Sequence, residues 1–82
     1  MTFYDFLKSK ADPYKASQSK VCQYALELLH ITERIAFPKA NKDRKTVERA
    51  FKNALKEDYD SYMFETVWDA YESEKFYDDI LD

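Results

Sequence analysis

Bulky apolar residues and acidic residues occupy opposite sides of a predicted helix near the end of the chain. Residues 64–71 include the only Trp of the sequence. At about 100° per residue, the apolar side is formed by Phe64, Val67, Trp68 and Tyr71. The acidic side is formed by Glu65, with Asp69 and Glu72 within about 40° of it around the helix. This pattern is typical of a helix that lies on a hydrophobic core, and Asp60 or Ser61 can cap it.

A second amphipathic segment has the opposite charge. Thr46, or Asp43 before it, can begin a helix that extends to about Lys56. Its basic side is formed by Lys45, with Arg49, Lys52 and Lys56 within about 40° of it around the helix. Its apolar side is formed by Val47, Ala50, Phe51, Ala54 and Leu55. We therefore expect the basic residues to face solvent while the apolar side packs on the core.

Two more helices are predicted in the first half of the chain. Residues 2–10 begin with a capping-box pattern, Thr2 with Asp5, and end before Pro13. Residues 18–32, capped by Ser17 or Ser19, carry an apolar arc so broad that we expect this to be the most buried helix.

Single residues in and after the second predicted helix also have an expected environment. Cys22 lies in the apolar arc and is expected to be an inert core thiol, whereas His30 lies opposite and is expected in solvent. Pro38 restricts Phe37 to an extended backbone, which predicts a short turn with the Phe37 ring in the core.

Composition favours an all-α fold. The chain has 82 residues and no glycine, so the tight turns of β-hairpins are disfavoured. We predict one domain over residues 1–82, a compact bundle of four to five short helices, in which residues 73–82 form a helical extension or a frayed acidic tail. The predicted core consists of Phe6, Leu7, Leu28, Phe37, Phe51, Leu55, Phe64 and Trp68.

The sequence lacks the residues that several kinds of functional site require. Without glycine there is no dinucleotide fingerprint or phosphate-binding loop, and one His with one Cys cannot build a structural zinc site. Cys22 and His30 lie on different helical faces, which excludes a nucleophile–base pair. We expect no catalytic residues, no cofactor and no metal. The single Cys and the lack of a long apolar run favour a cytoplasmic protein without membrane association.

Charge is segregated along the chain although the net charge is only −3. Residues 38–56 contain seven basic and two acidic side chains, whereas residues 57–82 contain one basic and ten acidic side chains. Two charged surfaces are therefore candidate interaction sites. The basic one consists of Lys42, Lys45, Arg49, Lys52 and Lys56, and the acidic one of Glu65, Asp69 and Glu72.

Three short motifs in order resemble the YozE family of small bacterial proteins, which are described as like the sterile alpha motif. They are Phe3-Tyr4-x-Phe6-Leu7, Phe37-Pro38-Lys39 with Asp43 beyond it, and Phe64-x-x-x-Trp68-x-x-Tyr71. The resemblance covers residues 2–73 and implies a compact, SAM-like helical bundle in the cytoplasm of Gram-positive bacteria or their phages. It implies no activity. Arg34, the basic 45–56 segment and the extension after Ser73 depart from the family pattern.

Four functional interpretations follow. The charged sides can be solvated faces that only keep the domain soluble. The leading functional hypothesis is a non-catalytic protein-interaction module, which binds a complementary protein or a second copy of itself. The alternatives are a nucleic-acid-binding protein that uses the basic face around residues 42–56, and a phage-encoded inhibitor that presents its acidic face. A pI near 5.1 disfavours nucleic acid.

Overall fold

The computed structural model describes the backbone of residues 1–81 and the side chains of residues 1–74. Four α-helices follow one another: α1 (Phe3–Lys10), α2 (Lys20–Thr32), α3 (Arg44–Leu55) and α4 (Ser61–Leu81), with a single 3-10 turn (Lys56–Asp58) between the last two. The described residues include no β-strand. The predicted all-α bundle is confirmed. Residues 73–81 continue the backbone of α4, whereas the side chains of residues 75–82 lie outside the described residues.

The helices begin where short polar side chains can satisfy their first N–H groups. In α1 the Asp5 N–H donates to the Thr2 hydroxyl at 3.1 Å, and the Thr2 N–H donates to the Asp5 carboxylate at 3.3 Å. This bond from the Thr2 N–H holds the pKa of Asp5 below its ordinary value of 3.8. Ser19 caps α2 and Asp43 caps α3. The predicted capping box is confirmed, and the structure selects Ser19 over Ser17 and Asp43 over Thr46.

The first turn of α4 is closed by Asp60. Its carboxylate accepts hydrogen bonds from the N–H groups of Tyr62 and Met63, at 3.0 and 3.2 Å. Asp60 is therefore the cap residue rather than Ser61, and α4 begins at the residue after it.

Aromatic rings from three parts of the chain form the core. Phe3 lies at its centre, with ring centroids of Phe51, Phe64, Trp68 and Tyr71 between 4.9 and 6.4 Å from its own. Seven of the eight predicted core residues are buried: Phe6, Leu7, Leu28, Phe37, Phe51, Phe64 and Trp68. The core also includes Phe3, Ala25, Val47, Met63, Val67 and Tyr71. Of these, Val47, Val67 and Tyr71 lie on the apolar sides that the sequence predicted to face the core.

Leu55 corrects the predicted core, because it is only half-buried. It is the last residue of α3, and Lys56 after it adopts φ 53° and ψ −115°, so the chain turns before Leu55 can reach the centre. Phe37, in contrast, is buried against Phe51 at a centroid distance of 5.1 Å, which confirms the predicted apolar turn.

The second helix is less buried than its apolar arc predicted. Only Ala25, Leu28 and Thr32 are buried in α2, whereas the described part of α4 buries five side chains. Because α2 packs on α1 and α4 but leaves the edges of its arc uncovered, Cys22 is half-buried rather than a core thiol. In a chain of this size the core is too small to cover a wide arc completely. The exposed position of His30 agrees with the sequence.

Candidate interaction surfaces

The α3 helix presents its basic residues to solvent because its opposite side is anchored in the core. Val47 and Phe51 are fully buried, four residues apart on one side of the helix. Lys45, Arg49 and Lys52 are all exposed on the other side. We call these three residues the basic face. They line one shallow surface depression of about 320 Å³ together with Glu48, so the structure brings the three predicted cations together.

Lys42 precedes α3 in the chain, and Lys56 follows it. Lys42 is exposed in the segment before the helix, and Lys56 is exposed at its C-cap. The positive φ of Lys56 means that its side chain does not continue the helical row of Lys45, Arg49 and Lys52. The expectation that Lys56 extends this row is therefore wrong, since the row assumed helical geometry through residue 56.

Glu48 lies within the basic face but is engaged by its neighbours. The Tyr59 hydroxyl donates to Glu48 Oε2 at 3.0 Å, and Lys52 Nζ lies 3.8 Å from Glu48 Oε1. The Lys52 ammonium also lies 5.6 Å from the centroid of the Tyr59 ring. Burial, followed by the bond to Glu48, raises the pKa of Tyr59 far above its ordinary value.

An open groove adjoins the basic face at Arg49. It holds about 400 Å³ between the turn after α2 and the exposed side of α3. Its apolar lining includes Ile35, Pro38, Ala50 and Ala54, and Arg49 and Asn53 stand among its polar residues. Because Ala50 and Ala54 are four residues apart, two methyl groups lie side by side on the helix and leave room above them.

The acidic residues of α4 are exposed as predicted. Glu65, Asp69 and Glu72 all face solvent and form what we call the acidic face. Its first member contacts α3, because Arg44 Nη2 lies 3.7 Å from Glu65 Oε1 with both side chains largely exposed. An exposed pair of this kind contributes about 0–1 kcal/mol, so it leaves most of the acidic face available.

The two charged faces share one spacing. Lys45, Arg49 and Lys52 stand at i, i+4 and i+7, and so do Glu65, Asp69 and Glu72. At about 1.5 Å per residue, each row therefore has intervals of about 6 and 4.5 Å along its helix. If two helices meet through these faces in parallel orientation, each of the three cations can lie across from one of the three carboxylates. In antiparallel orientation only the middle pair is displaced, by about 1.5 Å.

Sequence reasoning missed the groups that tune these surfaces. Glu48, Tyr59 and Arg44 were not candidates, although Glu48 and Tyr59 contact Lys52 and Arg44 contacts Glu65. The i, i+4 spacing of Glu48 and Lys52 was the one signal available. Among the described residues no cluster of three metal-ligating side chains occurs, and no helix there has the length and apolar character to cross a bilayer.

Comparisons with protein families, with curated proteins and with solved structures found no match to this chain.

Proposed function

We propose that this protein is a non-catalytic protein-interaction module whose basic face receives an acidic surface of another protein. The observation that supports the proposal is the exposure of Lys45, Arg49 and Lys52 on one side of a helix whose other side is locked in the core. The two acidic residues of the 38–56 segment are both engaged internally, Asp43 as the cap of α3 and Glu48 with Tyr59. Lys45 and Arg49 take part in no ion pair among the described residues, so their positive charge is left for a partner.

Self-association is one version of this proposal. The acidic face of one copy carries three carboxylates at the spacing of the three cations on the basic face of another. Such a contact joins two different surfaces. In a pair, one copy therefore still has an unused acidic face and the other an unused basic face. A contact of this type extends into a ring or an open chain rather than stopping at a symmetric dimer.

Sedimentation of two charge-reversed variants tests self-association. One variant carries Lys45→Glu, Arg49→Glu and Lys52→Glu, and the other carries Glu65→Lys, Asp69→Lys and Glu72→Lys. We expect wild type to form larger species at low salt and to dissociate at high salt, because the contact is electrostatic. Each variant alone should stay monomeric, and an equal mixture of the two should associate again.

Circular dichroism of each variant checks that the helices are retained. A wild-type monomer at every concentration and ionic strength removes self-association and leaves the binding of a different protein. Binding of that kind is tested by capture from a bacterial lysate, with the variant that lacks the basic face as the matched control. Equal capture by both proteins would contradict the proposed role of the basic face.

Nucleic acid is a second candidate ligand for the same face, because a row of exposed cations on a helix can follow phosphates. Glu48 inside the face and a net charge of −3 oppose it. Binding of DNA and RNA by wild type is measured at about 50 mM salt, where the phosphate contribution is strong. Absence of binding there removes this candidate.

We also propose that the protein belongs with the YozE-like proteins of bacteria or phages and acts in the cytoplasm. The order and spacing of the three motifs around Phe3, Phe37 and Trp68 support the family assignment. The rings of all three residues take part in one core, directly or through Phe51, which gives the motifs a shared structural role. The location is supported by a single Cys, which cannot form an internal disulfide.

A further inference from the structure

The groove beside Arg49 combines an apolar floor with a cationic rim. Ala50 and Ala54 of α3 form one side of it, and Ile35 and Pro38 of the preceding turn belong to the other. Ala54 is exposed, and Ala50 is half-buried. Because neither alanine extends beyond its methyl group, another chain can approach the α3 backbone closely at this point.

The charge around the groove is positive and largely uncompensated. Arg49 lines both the groove and the depression that Lys45 and Lys52 share. The carboxylate of Glu48 accepts the Tyr59 hydrogen bond, and the carboxylate of Asp43 accepts from the Thr46 N–H at 3.2 Å and from its hydroxyl at 2.8 Å. Among the described residues Lys45 and Arg49 take part in no ion pair, whereas Lys52 lies 3.8 Å from Glu48. A carboxylate of a partner therefore meets two unpaired cations at this face.

We propose that this groove binds an acidic protein segment that carries an aliphatic side chain. The aliphatic side chain lies over Ala50 and Ala54, and a neighbouring carboxylate pairs with the Arg49 guanidinium, which can bind it through two parallel hydrogen bonds. This inference rests on the proposed function and specifies the class of partner. A nucleic-acid backbone would leave the apolar floor uncovered, and this favours a protein segment as the occupant.

Two synthetic peptides test the inference. One has the sequence Asp-Glu-Leu-Glu-Asp with blocked ends, and the other replaces its central Leu with Asn. Both are titrated into the full-length ¹⁵N-labelled protein, and amide shifts are followed by NMR. We expect the Leu peptide to bind about fivefold to tenfold more tightly, since a shallow groove covers part of a Leu side chain. Its shifts should centre on Ala50, Asn53 and Ala54.

Three variants separate the groove from the charge. Ala54→Gln fills the groove with a neutral, helix-compatible side chain, and we expect it to remove the preference for Leu while weak, salt-sensitive binding persists. Ala40→Gln alters an exposed alanine outside the groove lining and should keep the preference. Arg49→Gln should weaken the binding of both peptides, because the two peptides carry the same carboxylates.

The outcomes distinguish this inference from the function on which it rests. Equal binding of the two peptides, or a Leu preference that survives Ala54→Gln, overturns the groove assignment and leaves the basic face as the binding surface. Failure of both peptides to bind wild type contradicts both proposals. Shifts at Ala54 that depend on protein concentration without peptide assign the groove to a second copy. An oligonucleotide that displaces the Leu peptide and binds Ala54→Gln equally assigns this face to nucleic acid. Either of these last two results overturns the inference.

Discussion

Replacement of Phe3 by Ala is expected to remove much of the stability of the fold. The Phe3 side chain is fully buried, and its ring contacts the rings of Phe51, Phe64, Trp68 and Tyr71. Among the described side chains it is therefore the one ring that contacts rings of both α3 and α4 from α1. Truncation to Ala removes six ring carbons from this position and leaves a cavity that rigid neighbouring rings cannot easily fill.

The expected cost follows from two estimates. Truncation of a buried Phe to Ala typically costs about 3–5 kcal/mol. At 0.05–0.15 kcal/mol per residue, a chain of 82 residues has about 4–12 kcal/mol of unfolding free energy in total. We therefore expect Phe3→Ala to lower the melting temperature by about 12–40 °C, or to unfold the protein at 25 °C if its stability lies at the low end. Urea unfolding followed by far-ultraviolet circular dichroism measures the loss of unfolding free energy.

Two substitutions control for this measurement. Phe3→Leu keeps an apolar side chain of nearly similar volume and should cost about 1–2 kcal/mol, partly from the lost ring contacts. Tyr14→Ala removes a large aromatic side chain that is 90% exposed, and the free energy of unfolding should change by less than about 0.5 kcal/mol. A loss below about 1 kcal/mol for Phe3→Ala would show that Phe3 is not the centre of the core.

Two further predictions concern the ends of α3. Lys56 has φ 53° and ψ −115°, where a Cβ atom is sterically disfavoured, so Lys56→Gly should raise the free energy of unfolding by about 1 kcal/mol in urea unfolding. Lys56→Ala keeps the Cβ atom, and an equal gain with Ala would contradict this explanation. At the other end, hydrogen bonds from the Thr46 hydroxyl and N–H hold the pKa of Asp43 below its ordinary value of 3.8. Its stabilising contribution is complete above that value and is lost as pH falls through the lowered pKa. Asp43→Asn, which keeps a cap without a titrating group, should therefore lose less stability than wild type between about pH 5 and pH 2. Equal acid sensitivity of the two proteins would argue against this contribution.

Periodicity was sufficient to predict the helices and the direction of α3. The apolar and basic sides of residues 45–55 are so clearly separated that burial of Val47 and Phe51 left Lys45, Arg49 and Lys52 only one direction to face. The Thr2 cap was predictable for the same local reason, and each of the other caps was predicted to within two candidates, since a cap is satisfied within three residues of chain.

Features that depend on which elements meet in space could not be predicted in this way. The Tyr59–Glu48 hydrogen bond joins residues eleven positions apart across the end of α3, and neither residue type is distinctive there. The breadth of the α2 apolar arc overstated its burial, because periodicity shows which side of a helix can be buried but not how much of it neighbours will cover. The groove at Ala50 and Ala54 could not be predicted for the same reason, since its other side is formed by the preceding turn.

The core and the candidate binding surface are mechanically linked through Phe51. Its ring packs against Phe3, Phe37 and Phe64, so it is held from three directions and fixes the rotation of α3 about its axis. The basic face lies on the same two turns of helix, and a rotation of one residue, about 100°, would carry Arg49 away from the groove. A close-packed aromatic interior admits few alternative rotations, because each would leave voids between rigid rings. The aromatic motifs therefore position the charges. A substitution at Phe37 should disturb binding at Arg49 while the helices remain folded.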